Sequence, residues 1–153
     1  MEIDKELLAP CGLYCGVCAI RIAHRDNNEK FKVALVNVYR PLITKPEQIQ
    51  CSGCMSENTK FKFCQKCKIR TCATKKGYVG CFECAEFPCY RITFFPLKKA
   101  RTLMKRIIPK WKELGTEEWV KRELERYHCP ECGNSLFRGV KQCNKCKAFV
   151  ELD

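Results

Sequence analysis

The chain has no apolar run approaching the roughly 20 residues that span a bilayer, and its opening, Met1-Glu2-Ile3-Asp4-Lys5, lacks the basic, apolar and small-residue order of a leader. These absences predict a cytoplasmic protein, a setting in which thiols stay reduced. Histidine is scarce, with His24 and His128 the only two, so a thiol nucleophile would have few bases to choose from. There is no glycine-rich phosphate loop, no serine elbow and no His-Glu-x-x-His. Between residues 45 and 91 large aliphatic side chains are sparse, and Phe61, Phe63, Tyr78, Phe82, Phe87 and Tyr90 carry most of the hydrophobicity. Such a stretch buries too little apolar surface to order itself and needs a metal or a crosslink. Acids are missing altogether between Lys98 and Lys112.

What is abundant is cysteine, 15 among 153 residues. The count is odd and the predicted compartment reducing, so metal ligation accounts for the thiols better than a disulfide framework, and bound ions would supply folding free energy. Eleven cysteines fall in residues 11 to 89, none in 93 to 127, and four in 129 to 146. This distribution predicts a cysteine-rich metal-binding domain over 1–92, a basic helical connector over 93–127, and a zinc ribbon over 128–153. The expected fold class is a small metal-stabilised α+β protein, with N-terminal helices, an irregular core of cysteine knuckles, a two-helix connector and C-terminal ribbon hairpins.

In the connector, Leu97, Ala100, Leu103, Met104, Ile107, Ile108 and Trp111 recur at steps of three and four, the period of a helix face. Pro109 lies inside that pattern and predicts a kink, or an end near Ile108. Gly115 reads as a stop and Thr116 as the N-cap of a second helix reaching about Tyr127, with a thinner face of Trp119, Val120, Leu124 and Tyr127. Residues 17–24 and 29–39 are also helical in pattern. The second carries Phe31, Ala34, Leu35 and Val38 on one side, and Asp26-Asn27-Asn28 is turn chemistry between the two.

The sharpest chemical signal is Cys129-Pro130-Glu131-Cys132-Gly133 with Cys143-Asn144-Lys145-Cys146. Two Cys-x2-Cys knuckles joined by a short hairpin suit one tetrahedral ion, because each knuckle turns backbone amides toward a sulfur. Gly133 fits the positive-φ position closing the first knuckle. The segment resembles a zinc ribbon, which implies zinc in preference to the iron of a rubredoxin-like site. Further knuckles are Cys51/Cys54, Cys64/Cys67 and Cys81/Cys84, with Cys72 and Cys89 as single ligands. Eight thiolates make two tetrahedral sites. A sequential division groups Cys51, Cys54, Cys64 and Cys67, then Cys72, Cys81, Cys84 and Cys89; a crossed division is equally allowed by spacing. Cys11, Cys15 and Cys18 remain; His24 either completes their set or is a solvated helix residue, and alternatively the trio borrows a thiolate from the later eight. About four ions per chain is the expectation. The Cys-x3-Cys-x2-Cys spacing also matches that of radical S-adenosylmethionine enzymes. Val17 stands where those enzymes usually carry an aromatic, and no alternation of strands and helices follows. An iron-sulfur redox protein without such a barrel is the rival class, and a metal-dependent enzyme using the N-terminal trio is the third.

The order of these motifs, Cys-Gly-Leu-Tyr-Cys-Gly-Val-Cys at 11–18, Cys-Ser-Gly-Cys at 51–54, Cys-Gln-Lys-Cys-Lys-Ile-Arg-Thr-Cys at 64–72 and Cys-Phe-Glu-Cys-Ala-Glu-Phe-Pro-Cys at 81–89, resembles a cysteine-rich domain-of-unknown-function family widespread in anaerobic bacteria and archaea. The resemblance spans about residues 8 to 95, and the connector with Glu118-Trp119 is similar to an extended subgroup. It implies metal binding and assigns no catalytic residue.

The acid-free stretch holds Lys98, Lys99, Arg101, Lys105, Arg106, Lys110 and Lys112. A helix with these residues away from its apolar face can lie along RNA or DNA phosphates, an anionic membrane surface or an acidic protein; the alternative is a solvated face over a core. Glu83 and Glu86 beside Cys84 are acid-base candidates of the weaker kind. The formal charge of +12 divides as +6, +5 and +1 over the three stretches. Fifteen thiolates around four divalent ions would lower the total to about +5, which leaves the connector as the basic segment. The overall expectation is a zinc-binding interaction module with structural cysteines.

Overall fold

The three-and-four spacing after Leu97 becomes one continuous helix in the computed structural model, which describes residues 1–153. The six α-helices are α1 (Ala19–Arg25), α2 (Glu29–Tyr39), α3 (Lys68–Lys76), α4 (Tyr90–Thr93), α5 (Lys98–Leu114) and α6 (Thr116–Arg126), with short 3-10 turns between them. No helix is long and apolar enough to cross a membrane.

The expected α+β class is corrected. The protein is mostly helical, and its β pairing is limited to two isolated bridges, His128 with Ser135 and Gln142 with Phe149. The four-cysteine segment at the C-terminus is built of turns, because its backbone amides and carbonyls close knuckles instead of extending ladders. An unforeseen element is α3, inside the cysteine-rich stretch. Its N-terminus is capped by the Cys67 sulfur, which accepts from the Arg70 amide at 3.5 Å, and Gly77, at φ 70°, ends it in the left-handed conformation.

Helix α5 does not stop at Ile108. Pro109 is exposed, so the hydrogen bond its missing N–H forfeits lies on the solvent side, where water satisfies the freed carbonyl. The opposite face buries Leu103, Met104, Ile107, Ile108 and Trp111. Gly115, at φ 74°, serves at once as C-cap of α5 and N-cap of α6. Thr116 is therefore not the cap; its hydroxyl accepts from Trp111 Nε1 at 3.0 Å. In α2, Asn28 caps by accepting from the Phe31 amide at 3.0 Å. The buried side of α2 is Lys32, Leu35 and Val36. Ala34 and Val38, expected on that side, face solvent, because α2 packs on α1 through the Leu35/Val36 stripe.

The largest core cluster draws on all three stretches of the chain: Leu7, Tyr14 and Val17 from the beginning, Trp111 from α5, Trp119 from α6 and Tyr127 just past its end, and Leu136, Cys143 and Val150 from the end. Trp111 and Trp119 stack with ring centroids 4.0 Å apart, and Phe82 and Tyr14 pack against them. Burying such rings contributes several kcal/mol each, so the connector supplies the apolar surface that the cysteine-rich stretch lacks. A second cluster holds Ile20, Leu35, Val36, Ile43, Ile49, Cys51 and Phe61, and a third Ile69, Ile92, Met104 and Ile108. Cys15, Cys129 and Cys143 belong to the first cluster and Cys51 to the second, while Cys11 packs against both the first and the third.

Candidate metal centres

The sulfurs of Cys129, Cys132, Cys143 and Cys146 all lie within 4.8 Å of one another, and the four can hold a metal ion. Tetrahedral metal–thiolate bonds of about 2.3 Å place sulfurs about 3.8 Å apart. The Cys129–Cys146 and Cys132–Cys143 separations are 3.5 and 3.7 Å, so the donor set fits such an ion. Two equivalent turns make the arrangement. Gly133 N–H donates to Cys129 O at 2.8 Å, and Lys147 N–H to Cys143 O at 3.0 Å. Gly133 (φ 69°) and Lys147 (φ 64°) are both left-handed, each four residues after the first cysteine of its knuckle.

Backbone amides tune these sulfurs as well as placing them. The amides of Cys146 and Lys145 donate to Cys143 and pull its thiol down to about 6. At Cys146 the Ala148 amide works the same way, but burial and the neighbouring sulfurs Cys129, Cys132 and Cys143 prevail and push it up to about 12. Four thiols crowded this closely cannot all ionise without a cation among them. The segment is clamped to the rest of the molecule by Arg138, whose amide donates to Val17 O at 2.8 Å and whose guanidinium donates to Tyr14 O at 3.2 Å.

Among the other eleven cysteines, Cys72, Cys81, Cys84 and Cys89 line one cavity of about 50 Å³, with Ile69, Phe87 and Ile92. That volume is far below the roughly 300 Å³ at which organic-ligand pockets begin, while four thiols border it. Burial pushes Cys81 up to about 12. Lys76 reaches Cys84 Sγ at 3.7 Å and pairs with Glu86 at 2.6 Å. Glu86 is thus engaged in an ion pair, and Glu83 accepts from the Val79 amide at 2.9 Å. Cys81 N–H donates to Pro10 O at 2.8 Å, which sets this group beside Cys11.

The N-terminal trio does not stand apart. The Cys15 thiol donates to the Cys54 sulfur, which pulls Cys54 down to about 7 with help from Arg70; the same hydrogen bond and burial drive Cys15 far up. Cys18 and Cys64 pack with Cys51 on the second core cluster, and Cys11 with Cys67 on the third. The knuckle holding Cys54 is pinned by Met55 N–H donating to Glu6 O at 3.0 Å. Gly53, at φ 146°, comes so close that a Cβ would stand 2.6 Å from that carbonyl. His24 is half-buried on α1, and His128 is held by Leu124 O at 2.7 Å from Nδ1.

A family model described as a protein of unknown function (DUF3795) matches residues 7–94. The chain belongs to that family. No curated protein matches the chain, and no solved structure does. The DUF3795 region contains the eleven cysteines from 11 to 89; the four-sulfur cluster and helices α5 and α6 lie beyond it.

The seven basic residues of the connector divide into two sets. Arg101 donates to Thr93 O at 3.4 Å, Arg106 pairs with Asp153 at 3.6 Å, and Lys110 pairs with Glu113 at 3.0 Å. Lys98, Lys99, Lys105 and Lys112 are exposed and make no ion pair. The residues that sequence reasoning missed are Arg138, Glu123 and Lys147. Only Lys147 had left a signal, the equal spacing from Cys143 that Gly133 has from Cys129.

Proposed function

We propose that the chain is a zinc-binding macromolecular interaction module, with its cysteines as structural ligands and with nucleic acid as its partner. The observation that carries the metal half is the sulfur spacing of the cluster of Cys129, Cys132, Cys143 and Cys146, which matches a closed tetrathiolate site of zinc-ribbon type. All four positions are filled by protein sulfur, which leaves none for a substrate. At the cavity of Cys72, Cys81, Cys84 and Cys89 the donor set is again four thiolates, the set that suits zinc or an iron-sulfur centre.

The partner half rests on the exposed lysines Lys98, Lys99, Lys105 and Lys112 together with the residues just before them. Tyr90 and Phe94 are 63% and 75% exposed, and Arg91 lies over the Tyr90 ring, 4.6 Å from its centroid. Open aromatic faces beside cations are what single-stranded nucleic acid uses, with bases stacked on rings and phosphates on lysines. The test has two arms. Elemental analysis and an absorption spectrum of anaerobically prepared protein should give zinc and no visible bands; visible bands with a paramagnetic signal on reduction would replace this reading with the iron-sulfur redox one. Filter binding of RNA and single-stranded DNA should show retention at low salt that falls as salt rises. No retention at low ionic strength ends the nucleic-acid half.

A further inference from the structure

We propose that Cys146 is the oxidant-sensitive sulfur of the C-terminal four-cysteine centre: a peroxide oxidises it, Cys129 closes a disulfide onto it, and the metal ion is released. The inference rests on the metal-binding reading of that centre and adds a regulation to it.

Access singles out this sulfur. Among the fifteen cysteines Cys146 alone is exposed, whereas Cys129 and Cys143 are buried and Cys132 is half-buried. Oxidation of a thiolate follows its exposure and the charge around it. Both chain neighbours, Lys145 and Lys147, are exposed cations, and no acid occurs between Glu131 and Glu151. As the ligand of a divalent ion, the Cys146 sulfur is a thiolate without help from a base.

Distance singles out its partner. Cys129 Sγ lies 3.5 Å from Cys146 Sγ, and Cys132 Sγ lies 3.7 Å from Cys143 Sγ. Each of these short pairs joins one knuckle to the other. The knuckles are also held together by contacts that need no ion. Asn134, just after the first knuckle, donates to Asn144 Oδ1 in the second at 2.7 Å and reaches Cys143 Sγ at 3.9 Å. Cys143 is fully buried, and its amide donates to Ala148 O at 2.9 Å. Two sulfurs can therefore leave the ion while the chain around them keeps its place. A closed site needs all four donors, so losing Cys129 and Cys146 together removes half of what holds the ion.

The chemistry balances in two steps. The Cys146 thiolate attacks one oxygen of hydrogen peroxide, which breaks the O–O bond, forms a sulfenic acid and releases hydroxide. The Cys129 thiolate then attacks the Cys146 sulfur, which forms the S–S bond and releases a second hydroxide. Two thiolates have lost two electrons between them and one peroxide has gained both. Cys132 and Cys143, less accessible, keep their thiols at this stage.

The test uses the full zinc-loaded chain, prepared anaerobically and treated with one equivalent of hydrogen peroxide. Free zinc is read with a chromophoric chelator, and the sulfurs are mapped by alkylation and peptide mass spectrometry. Zinc release should track the appearance of a Cys129–Cys146 disulfide, with Cys132 and Cys143 becoming open to alkylation in the same step. Dimedone, which captures sulfenic acids, should label Cys146 and suppress the disulfide. A Cys143–Cys146 disulfide, or dimedone on another of the four cysteines, overturns the assignment. So does a sulfinic acid at Cys146 in place of the disulfide. Zinc retained with all four sulfurs unmodified overturns the switch while leaving metal binding intact. Free alkylation of all four cysteines in excess zinc, before any peroxide is added, shows that no ion is held there, and the metal reading then falls together with the switch.

Discussion

Arg138, in the C-terminal four-cysteine segment, donates to the Glu123 carboxylate of α6 at 3.3 Å, and both side chains are largely buried. The pair joins the C-terminal four-cysteine segment to a helix 15 residues earlier, and Arg138 reaches on to Tyr14 in the segment of the first cysteines. Removing Glu123 leaves a guanidinium inside the protein without its counter-charge. Glu123→Ala should therefore cost about 3–5 kcal/mol, read by urea unfolding, while Glu123→Gln, which keeps an acceptor, should cost less.

The same pair predicts a pH dependence. Burial lifts the Glu123 carboxyl above its ordinary value of 4.5, against the pull of Arg138. A carboxyl that titrates higher in the folded state binds its proton more tightly there. Its contribution is complete below the unfolded value and is lost as pH rises through the folded one. From about pH 4.5 upward, the stability of the wild type measured against Glu123→Gln should decline, and a flat difference across that range would contradict the burial of this group.

Loss of one ligand in the tight cluster should be felt far from it. Cys143 is fully buried in the same cluster as Trp111 and Trp119, so Cys143→Ala removes both a ligand and core packing. The expected outcome is one metal ion fewer per chain by elemental analysis, a lower melting temperature and a change in tryptophan fluorescence. Helical content should be kept because α5 and α6 pack on each other. Chelation that strips every site should go further and unfold the cysteine-rich stretch.

The two knuckle turns give a paired test in opposite directions. Gly133→Ala places a side chain on a left-handed residue and should destabilise by about 1 kcal/mol, whereas Lys147→Gly relieves the same conformation and should stabilise by up to about 1 kcal/mol. Thermal unfolding of the metal-loaded protein reads both.

Changing Lys98, Lys99, Lys105 and Lys112 to Gln should leave the melting temperature within about 2 °C, because exposed side chains without partners contribute little to folding. Single-strand affinity should fall, and the slope of log K against log salt should lessen by about 0.7 for each lysine that had met a phosphate. Arg106→Gln is the control within the same helix. Its partner is Asp153, so its loss should act on stability first.

Much of this was legible in the chain. The spacing of Leu103, Ile107 and Trp111 predicted α5 because period is a local property, and the paired Cys-x2-Cys motifs predicted the four-sulfur cluster because each knuckle is closed by residues within five positions. Other features were not local. Whether Pro109 would end α5 depended on which side of the helix faced water. Thr116 lost its capping role to Trp111, a choice between two hydrogen bonds of similar strength. The β content expected of a ribbon did not form beyond single bridges, since the segment's backbone groups are spent inside its turns.

By itself, the sequence determined the chemistry available to this protein: fifteen thiols, few bases, a basic amphipathic helix and a membership in DUF3795 carried by residues 7–94. Residue type and short spacing suffice for that. Only the tertiary structure decided which cysteines meet, bringing Cys15 onto Cys54 across 39 positions of chain and enclosing Cys72, Cys81, Cys84 and Cys89 around one cavity. It also placed both tryptophans of the connector at the centre of a core shared by all three stretches. Ligand partition depends on how separate apolar clusters pack against one another, and that is a property of the folded whole.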